Sequence, residues 1–456
     1  MRLGDDEARA LLFSGTSRGR VRAVSTRNNE GERNAGPTAK APVPRAVKLA
    51  VLVAALGYFV DIYDLILFSV VRVKSLEALG VTGAEGLSWG LSIINWQMLG
   101  MLFGGVLWGI WGDLRGRLSV LFGSIVLYSL ANLANAFPDQ IASLTGGTFN
   151  ALEVYRIIRF LAGVGLAGEL GAGITLVSES MGKEHRGFGT TIVASVGICG
   201  AIVAVLVGKH LGWRTAYVIG GVMGLALLGL RLGVRESGMF ENVRRGSAQR
   251  GNFIALFTTW PRIRRYFSVI LVGVPIWYVI GVLVTFSPEL GRAMGMADVP
   301  KAPDAVLAAY SGLVIGDFAS GFSSQMIGSR KKILLAFISL TAVFVGVYFT
   351  VAARSTTAFY ATCVGLGIAT GYWAVFVTVA SEQFGTNIRA TVTTTAPNFV
   401  RGSLVPVTLA FEKLRETSLG IQGAALVVGA GTILRAVVAL LGLDETHGKD
   451  LDFLEE

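Results

Sequence analysis

Two stretches decide the fold: Glu179-Ser-Met-Gly-Lys-Glu-His-Arg186-Gly187 and Glu382-Gln-Phe-Gly-Thr-Asn-Ile-Arg389-Ala390. Each sets an acid seven residues before an arginine, and each closes an apolar run. A second echo supports the first. Arg115-Gly-Arg-Leu-Ser-Val-Leu-Phe-Gly-Ser and Arg330-Lys-Lys-Ile-Leu-Leu-Ala-Phe-Ile-Ser each end one apolar run and open the next. Two echoes in matching places mean that the chain repeats itself.

Outward from these stretches, apolar runs recur near 47–71, 88–111, 117–137, 152–178, 188–209, 212–232, 266–288, 305–327, 332–352, 357–380, 390–411 and 421–443. Most reach the ~20 residues that cross a hydrocarbon core. The longest break, near 233–265, divides six from six. Composition agrees. Apolar residues make up 52% of the 456 and charged residues 15%, against ~25% charged in soluble chains, and the mean hydropathy is +0.60. These figures exclude a disordered chain, a disulfide scaffold and an ordinary cytosolic enzyme. Repeated halves of membrane spans are the mark of an alternating-access transporter.

The predicted organisation is a disordered basic cytoplasmic tail at 1–45, a six-helix bundle at 46–232, and a cytoplasmic central loop at 233–265. A second six-helix bundle follows at 266–443, with a cytoplasmic tail at 444–456. The first 45 residues lack the apolar core of a signal peptide, and Asp5, Asp6 and Glu7 argue against a transit peptide. Loops on the tail's side carry 16 Lys and Arg and the opposite loops 9. That excess predicts cytoplasmic termini. The net charge of +10 is spread through a tail and short loops, which suits membrane orientation and not nucleic acid. Cys199 and Cys363 are isolated, and His185, His210 and His447 sit at segment ends, so no metal site or redox motif is expected. The chain holds no P-loop and no H-E-x-x-H. Neither an enzyme nor an ATP-driven pump fits.

Gly109-Ile-Trp-Gly112-Asp113-Leu-Arg115-Gly116-Arg117 resembles the signature between helices 2 and 3 of the major facilitator superfamily, departing from it at Leu114. Arg159-Phe-Leu-Ala-Gly163-Val-Gly165-Leu-Ala-Gly168-Glu169-Leu-Gly171 resembles helix 4 of the metabolite:proton symporters. Asp61-Ile-Tyr63-Asp64 is similar to helix 1 of those symporters and of the aromatic-acid:proton symporters. Arg235-Glu236-Ser237 and Glu445-Thr446-x-Gly448 look like sugar-porter and metabolite-symporter endings. The resemblance implies an all-α integral membrane protein of major-facilitator fold, with two six-helix bundles, 12 transmembrane helices and inverted repeats. It implies a cofactor-free monomer in the lipid bilayer of a bacterial inner membrane. That carrier would move a small organic metabolite (a carboxylate, zwitterion or sugar) together with protons. A proton-driven exporter of drugs or amphiphiles is the alternative.

Ionisable groups at mid-membrane cost about 2.5–3.5 kcal/mol on insertion scales, so each asks for a reason. Asp61 and Asp64 stand one turn apart near the centre of the first span and are expected to share a proton. Glu169 and Asp317 are the next proton-coupling candidates. Arg159, Tyr63 and Arg401 are the substrate-binding candidates, because a guanidinium offers carboxylates a planar fork. Arg156 is expected to snorkel to the interface. Gly109, Asp113, Arg115, Gly116, Arg117, Glu179 and Arg186 are expected to latch the cytoplasmic side of the first half. Arg330, Glu382 and Arg389 would do the same in the second. The glycines of the fourth span are read as packing positions.

Overall fold

Long apolar runs in a solvent without hydrogen-bonding partners must satisfy their backbone internally, and helices do this. The computed structural model describes residues 45–115, 117–169, 171, 186–231 and 253–448, and among them there is no strand. In chain order the helices are α1 (Arg45–Ala78), α2 (Gly83–Arg115), α3 (Arg117–Asn135), α4 (Pro138–Leu144), α5 (Ala151–Leu166), α6 (Arg186–His210), α7 (Trp213–Arg231) and α8 (Trp260–Tyr278). Then come α9 (Ser287–Ala293), α10 (Ala302–Ile327), α11 (Arg330–Thr350), α12 (Thr356–Thr370), α13 (Trp373–Glu382), α14 (Thr386–Gly402), α15 (Leu404–Arg415) and α16 (Gly420–Leu441). Most of the predicted N-terminal tail, 233–252 of the central loop, Gly116 and Glu179 lie outside the described residues, as do the side chains of Asp113, Arg117 and Arg186.

Boundaries follow local chemistry. Asn150 opens α5 with a capping box, accepting from the Glu153 N–H while Glu153 accepts from its own N–H, each at 2.9 Å. Gly328, at φ +66°, ends α10 in the left-handed conformation that glycine adopts without strain. Pro138 turns the chain by 89° between α3 and α4. A helix already begins at Trp260, inside the predicted central loop, with Pro at its first turn where no N–H is missed.

Among the described residues, eight helical segments are long and apolar enough to cross a membrane. The other predicted spans fall short for identifiable reasons. The third is bent at Pro138, and the fifth has only Val196–His210 as an apolar stretch. The fourth runs on beyond the described residues. The eleventh is broken into α14 and α15, and its first part is rich in threonine.

The internal repeat reappears as packing. A Cβ at Gly163 of α5 would sit on the Gln97 carbonyl of α2, and one at Gly100 of α2 on the Phe160 carbonyl of α5. In the second half the same reciprocal approach joins Gly312 of α10 and Gly367 of α12, through the Val364 and Ala309 carbonyls. Only glycine permits backbones this close. The two halves meet through α2 with α14 and α15, and α6 and α1 with α10. Leu102 fills the space at Gly402, Asn398 that at Gly105, and Thr395 lies against Gly109.

Candidate functional site

α1 brings two acids to the middle of the molecule, and both are fully buried. Their nearest partners differ. Asp61 faces the second half, with Oδ2 3.7 Å from Nη2 of Arg401 on α14. Asp64 faces inward, where a Cβ on Gly220 of α7 would collide with its Oδ1. The two acids stay within electrostatic reach of each other. Three residues of helix turn through about 300°, enough to aim neighbouring side chains at different partners.

Around Asp64 the first bundle has a polar interior. Arg159 of α5 donates to the Asp64 carbonyl at 3.3 Å and to Asn132 Oδ1 of α3 at 3.4 Å. Its guanidinium lies 5.6 Å from the Tyr217 ring centre. Tyr63 donates to the Ala216 carbonyl at 2.8 Å. Arg159 and Tyr63 are thus closed within the first bundle, and neither meets Arg401.

Between the halves, Arg401 lies 5.7 Å from the Trp373 ring centre. Its Nε and Nη1 are buried without a hydrogen-bond partner. Tyr58 stands beside Trp373 and within electrostatic reach of Arg401, Asp61 and Asp317, and Tyr310 joins it. Glu169 is buried and acts on Asp61. Asp317 accepts from the Ala374 N–H at 3.3 Å, capping α13 where the tenth span breaks, and its Oδ2 has no hydrogen-bond partner. The arrangement sets one guanidinium with free donors among aromatic rings, facing Asp61. It can hold an anion that displaces a carboxylate.

The profile of the Major Facilitator Superfamily matches residues 54–403. The chain belongs to the major facilitator superfamily. It is 26% identical to a protein of Cupriavidus pinatubonensis named "Probable 4-methylmuconolactone transporter", over 88% of this chain and 91% of that protein. It is 25% identical to the gentisate transporter of Corynebacterium glutamicum, over 87% of this chain and 88% of that one. The partially occluded inward-open structure of the xylose transporter from E. coli superposes with a TM-score of 0.69 at 17% identity, covering 90% of this chain and all of that one.

A major-facilitator carrier needs closures on both faces of its central site. On the face away from the N-terminal tail, Arg72 of α1 pairs with Glu289 of α9 at 2.8 Å. It also donates to the Thr285 carbonyl at 3.2 Å and sits 4.4 Å above the Phe286 ring. Thr285 follows a π-helical turn, Val279–Val284. Lys209 pairs with Asp304 at 2.6 Å, and Arg415 donates to Ser88 at 3.1 Å. Each of these contacts joins the two halves. Sequence reading missed this closure because Arg72 ends an apolar run and looks like a loop charge, whereas it is 1% exposed. Nothing local marks Glu289 as its partner.

On the opposite face, Arg330 and Glu382 pair at 3.5 Å, as expected. Thr446 also donates to Glu382 at 2.7 Å. Arg389 turns back on the chain, donating to the Ser381 and Phe384 carbonyls, and Arg115 lies over Trp111. Glu445 accepts from the Ser329 hydroxyl and from the Arg330 and Lys331 N–H groups at the start of α11. Burial raises its pKa, but hydrogen bonds from Ser329 and from the His447, Arg330 and Lys331 N–H groups outweigh this and hold it down at about 2. The predicted tail is therefore docked on α11 as far as it is described.

Proposed function

We propose that this transporter is a proton-coupled symporter of a small aromatic carboxylate. We place it in a bacterial inner membrane with both termini cytoplasmic. One observation carries the reading: Arg401 keeps two buried donors free beside Trp373, with Asp61 at 3.7 Å as its internal counter-ion. A substrate carboxylate would take the Arg401 fork, and the rings of Trp373, Tyr58 and Tyr310 would flank its apolar body. With that anion in place, an ionised Asp61 loses its partner and gains a like charge, which favours its protonation. Substrate and proton thus bind together, with reciprocal coupling of typically ~1–3 kcal/mol. The names of the relatives support a carboxylate: gentisate is an aromatic carboxylate, and 4-methylmuconolactone is a non-aromatic lactone that carries a carboxyl group.

The test is uptake by purified protein in liposomes with an alkaline interior, using benzoate, hydroxybenzoates and the matching uncharged amides. The expected result is uphill accumulation of a carboxylate, with proton uptake that depends on it. Accumulation indifferent to the pH gradient, or equal for the amides, would overturn the proposal.

A further inference from the structure

Inside the first bundle, apart from Arg401, lies a line of hydroxyl groups that packing alone does not call for. The Tyr155 and Tyr217 hydroxyls of α5 and α7 are 2.6 Å apart, and Tyr155 donates to Ser75 of α1 at 3.4 Å. All three residues are fully buried, as is Asp64. Phenylalanine would fill the same volume without placing two phenols in an apolar interior. The rings are fixed by neighbours: Phe68 stands edge-on to Tyr155 at 5.7 Å, and Trp213 lies 6.3 Å from Tyr155 and 6.5 Å from Tyr217.

The line has two ends. At the inner end, Tyr217 acts electrostatically on Asp64 and Arg159, and neither Asp64 carboxylate oxygen has a hydrogen-bond partner. The other groups facing Asp64 are Arg159 from α5, the Asn132 amide from α3, and Asp61 and Tyr63 on α1 itself. At the outer end, Ser75 donates to the Arg72 carbonyl at 3.0 Å. Ser75 itself is fully buried, and a cavity of about 50 Å³ lies beside its chain neighbours Arg72 and Leu76, lined also by Glu77, Glu289 and Arg292. That is room for water, which needs roughly 10–15 Å³ by the same measure.

We propose that protons reach Asp64 through the hydroxyl relay Ser75–Tyr155–Tyr217, from the outer face and without passing the Arg401 site. This rests on the reading of the chain as a proton symporter, and adds Asp64, within electrostatic reach of Asp61, to the acids that carry the coupled proton. The Ser75 and Tyr155 hydroxyls, which donate toward the outer end, first turn inward; a proton arriving from water then bonds to Ser75 Oγ as the serine's own proton passes to Tyr155. Tyr155 passes its proton to Tyr217, and Tyr217 passes its proton to an Asp64 oxygen directly or through one water. Each hydroxyl ends neutral, and the net change is one proton moved from water to carboxylate. The hydroxyls then turn to reset the line. Loading the acid and opening the substrate site become separate events, so the proton can arrive while the outer closure at Arg72 stays shut.

Tyr155→Phe, Tyr217→Phe and Ser75→Ala test this in liposomes, with Asp64→Asn as reference. Each removes one hydroxyl and keeps most of the packing. The expected result is an initial rate of uphill uptake reduced about 100-fold, the lower end of the range for losing a proton-transfer group, with substrate counterflow retained. Counterflow needs no net proton movement, so its survival also reports a folded carrier. Wild-type uphill rates in the two Phe variants, with Asp64→Asn inactive, would overturn the relay alone. Uphill accumulation by Asp64→Asn would overturn the role of Asp64 and the relay with it. Should one Phe variant lose counterflow as well, Ser75→Ala decides: a selective uphill loss supports the relay, and a normal uphill rate removes it.

Discussion

Arg401 is the cation on which the proposed substrate recognition turns, and its geometry distinguishes charge from shape. A lysine there would keep the charge and lose the planar fork whose Nε and Nη1 now have no partner. Charge-assisted hydrogen bonds contribute about 1.5–3 kcal/mol each. Arg401→Ala is therefore expected to weaken carboxylate binding about 10- to 100-fold. Arg401→Lys should fall between that and wild type, measured by calorimetry or ligand-induced thermal shift. Unchanged affinity in both variants would remove Arg401 from the site. The acids and arginines of the centre were legible in the sequence because an ionisable residue inside an apolar run is conspicuous. Tyr58 and Tyr310 were not, since phenols are common in such runs and only the fold brings them to Arg401. Nor could spacing alone tell that Asp61 and Asp64 serve different partners.

At the scale of elements, the outer closure depends on a short helix, α9, held to the end of α1 by one guanidinium. Arg72 satisfies Glu289, the Thr285 carbonyl and the Phe286 face at once. Removing it leaves a largely buried carboxylate without its counter-charge. Arg72→Ala should therefore shift the equilibrium toward opening on this face by about 10- to 100-fold, from ~1.5–3 kcal/mol for a charged hydrogen bond. Glu289→Gln should shift it less, because the amide still accepts from Arg72. Spin labels at cysteines replacing Glu77 and Arg292, which line the adjoining cavity from different halves, would read this as a longer distance, with Cys199 and Cys363 replaced. Identical distance distributions in wild type and Arg72→Ala would show that the pair does not hold the closure. The helices of this closure were legible only in part. Runs of apolar residues announce spans but do not mark the π-helical turn at Val279–Val284, and the break between α14 and α15 falls just before Pro406, which has no N–H to continue the ladder. The reciprocal glycines were visible as glycines, and their pairing became visible only once α2 met α5 and α10 met α12.

For the whole molecule, the repeat was legible because each half supplies the same close-packed helix pair. Closure between the halves was not, because it joins residues far apart in sequence: Arg72 with Glu289, Lys209 with Asp304, Arg415 with Ser88. These three contacts lie on one face. Arg330, Glu382 and the docked Glu445 lie on the other. From Lys332 to Lys413 the chain crosses three times, through α11, through α12 and α13, and through α14 and α15, so the two lysines belong to opposite faces. The loops on the Lys332 side carry the larger share of Lys and Arg, and such loops stay in the cytoplasm. Reporter fusions after Lys332 should accordingly give a cytoplasmic signal, and fusions after Lys413 a periplasmic one. The reverse pattern would place the Arg72–Glu289 closure in the cytoplasm and make the Ser75 end of the relay a proton exit. Equal signals at both sites would contradict the three crossings themselves.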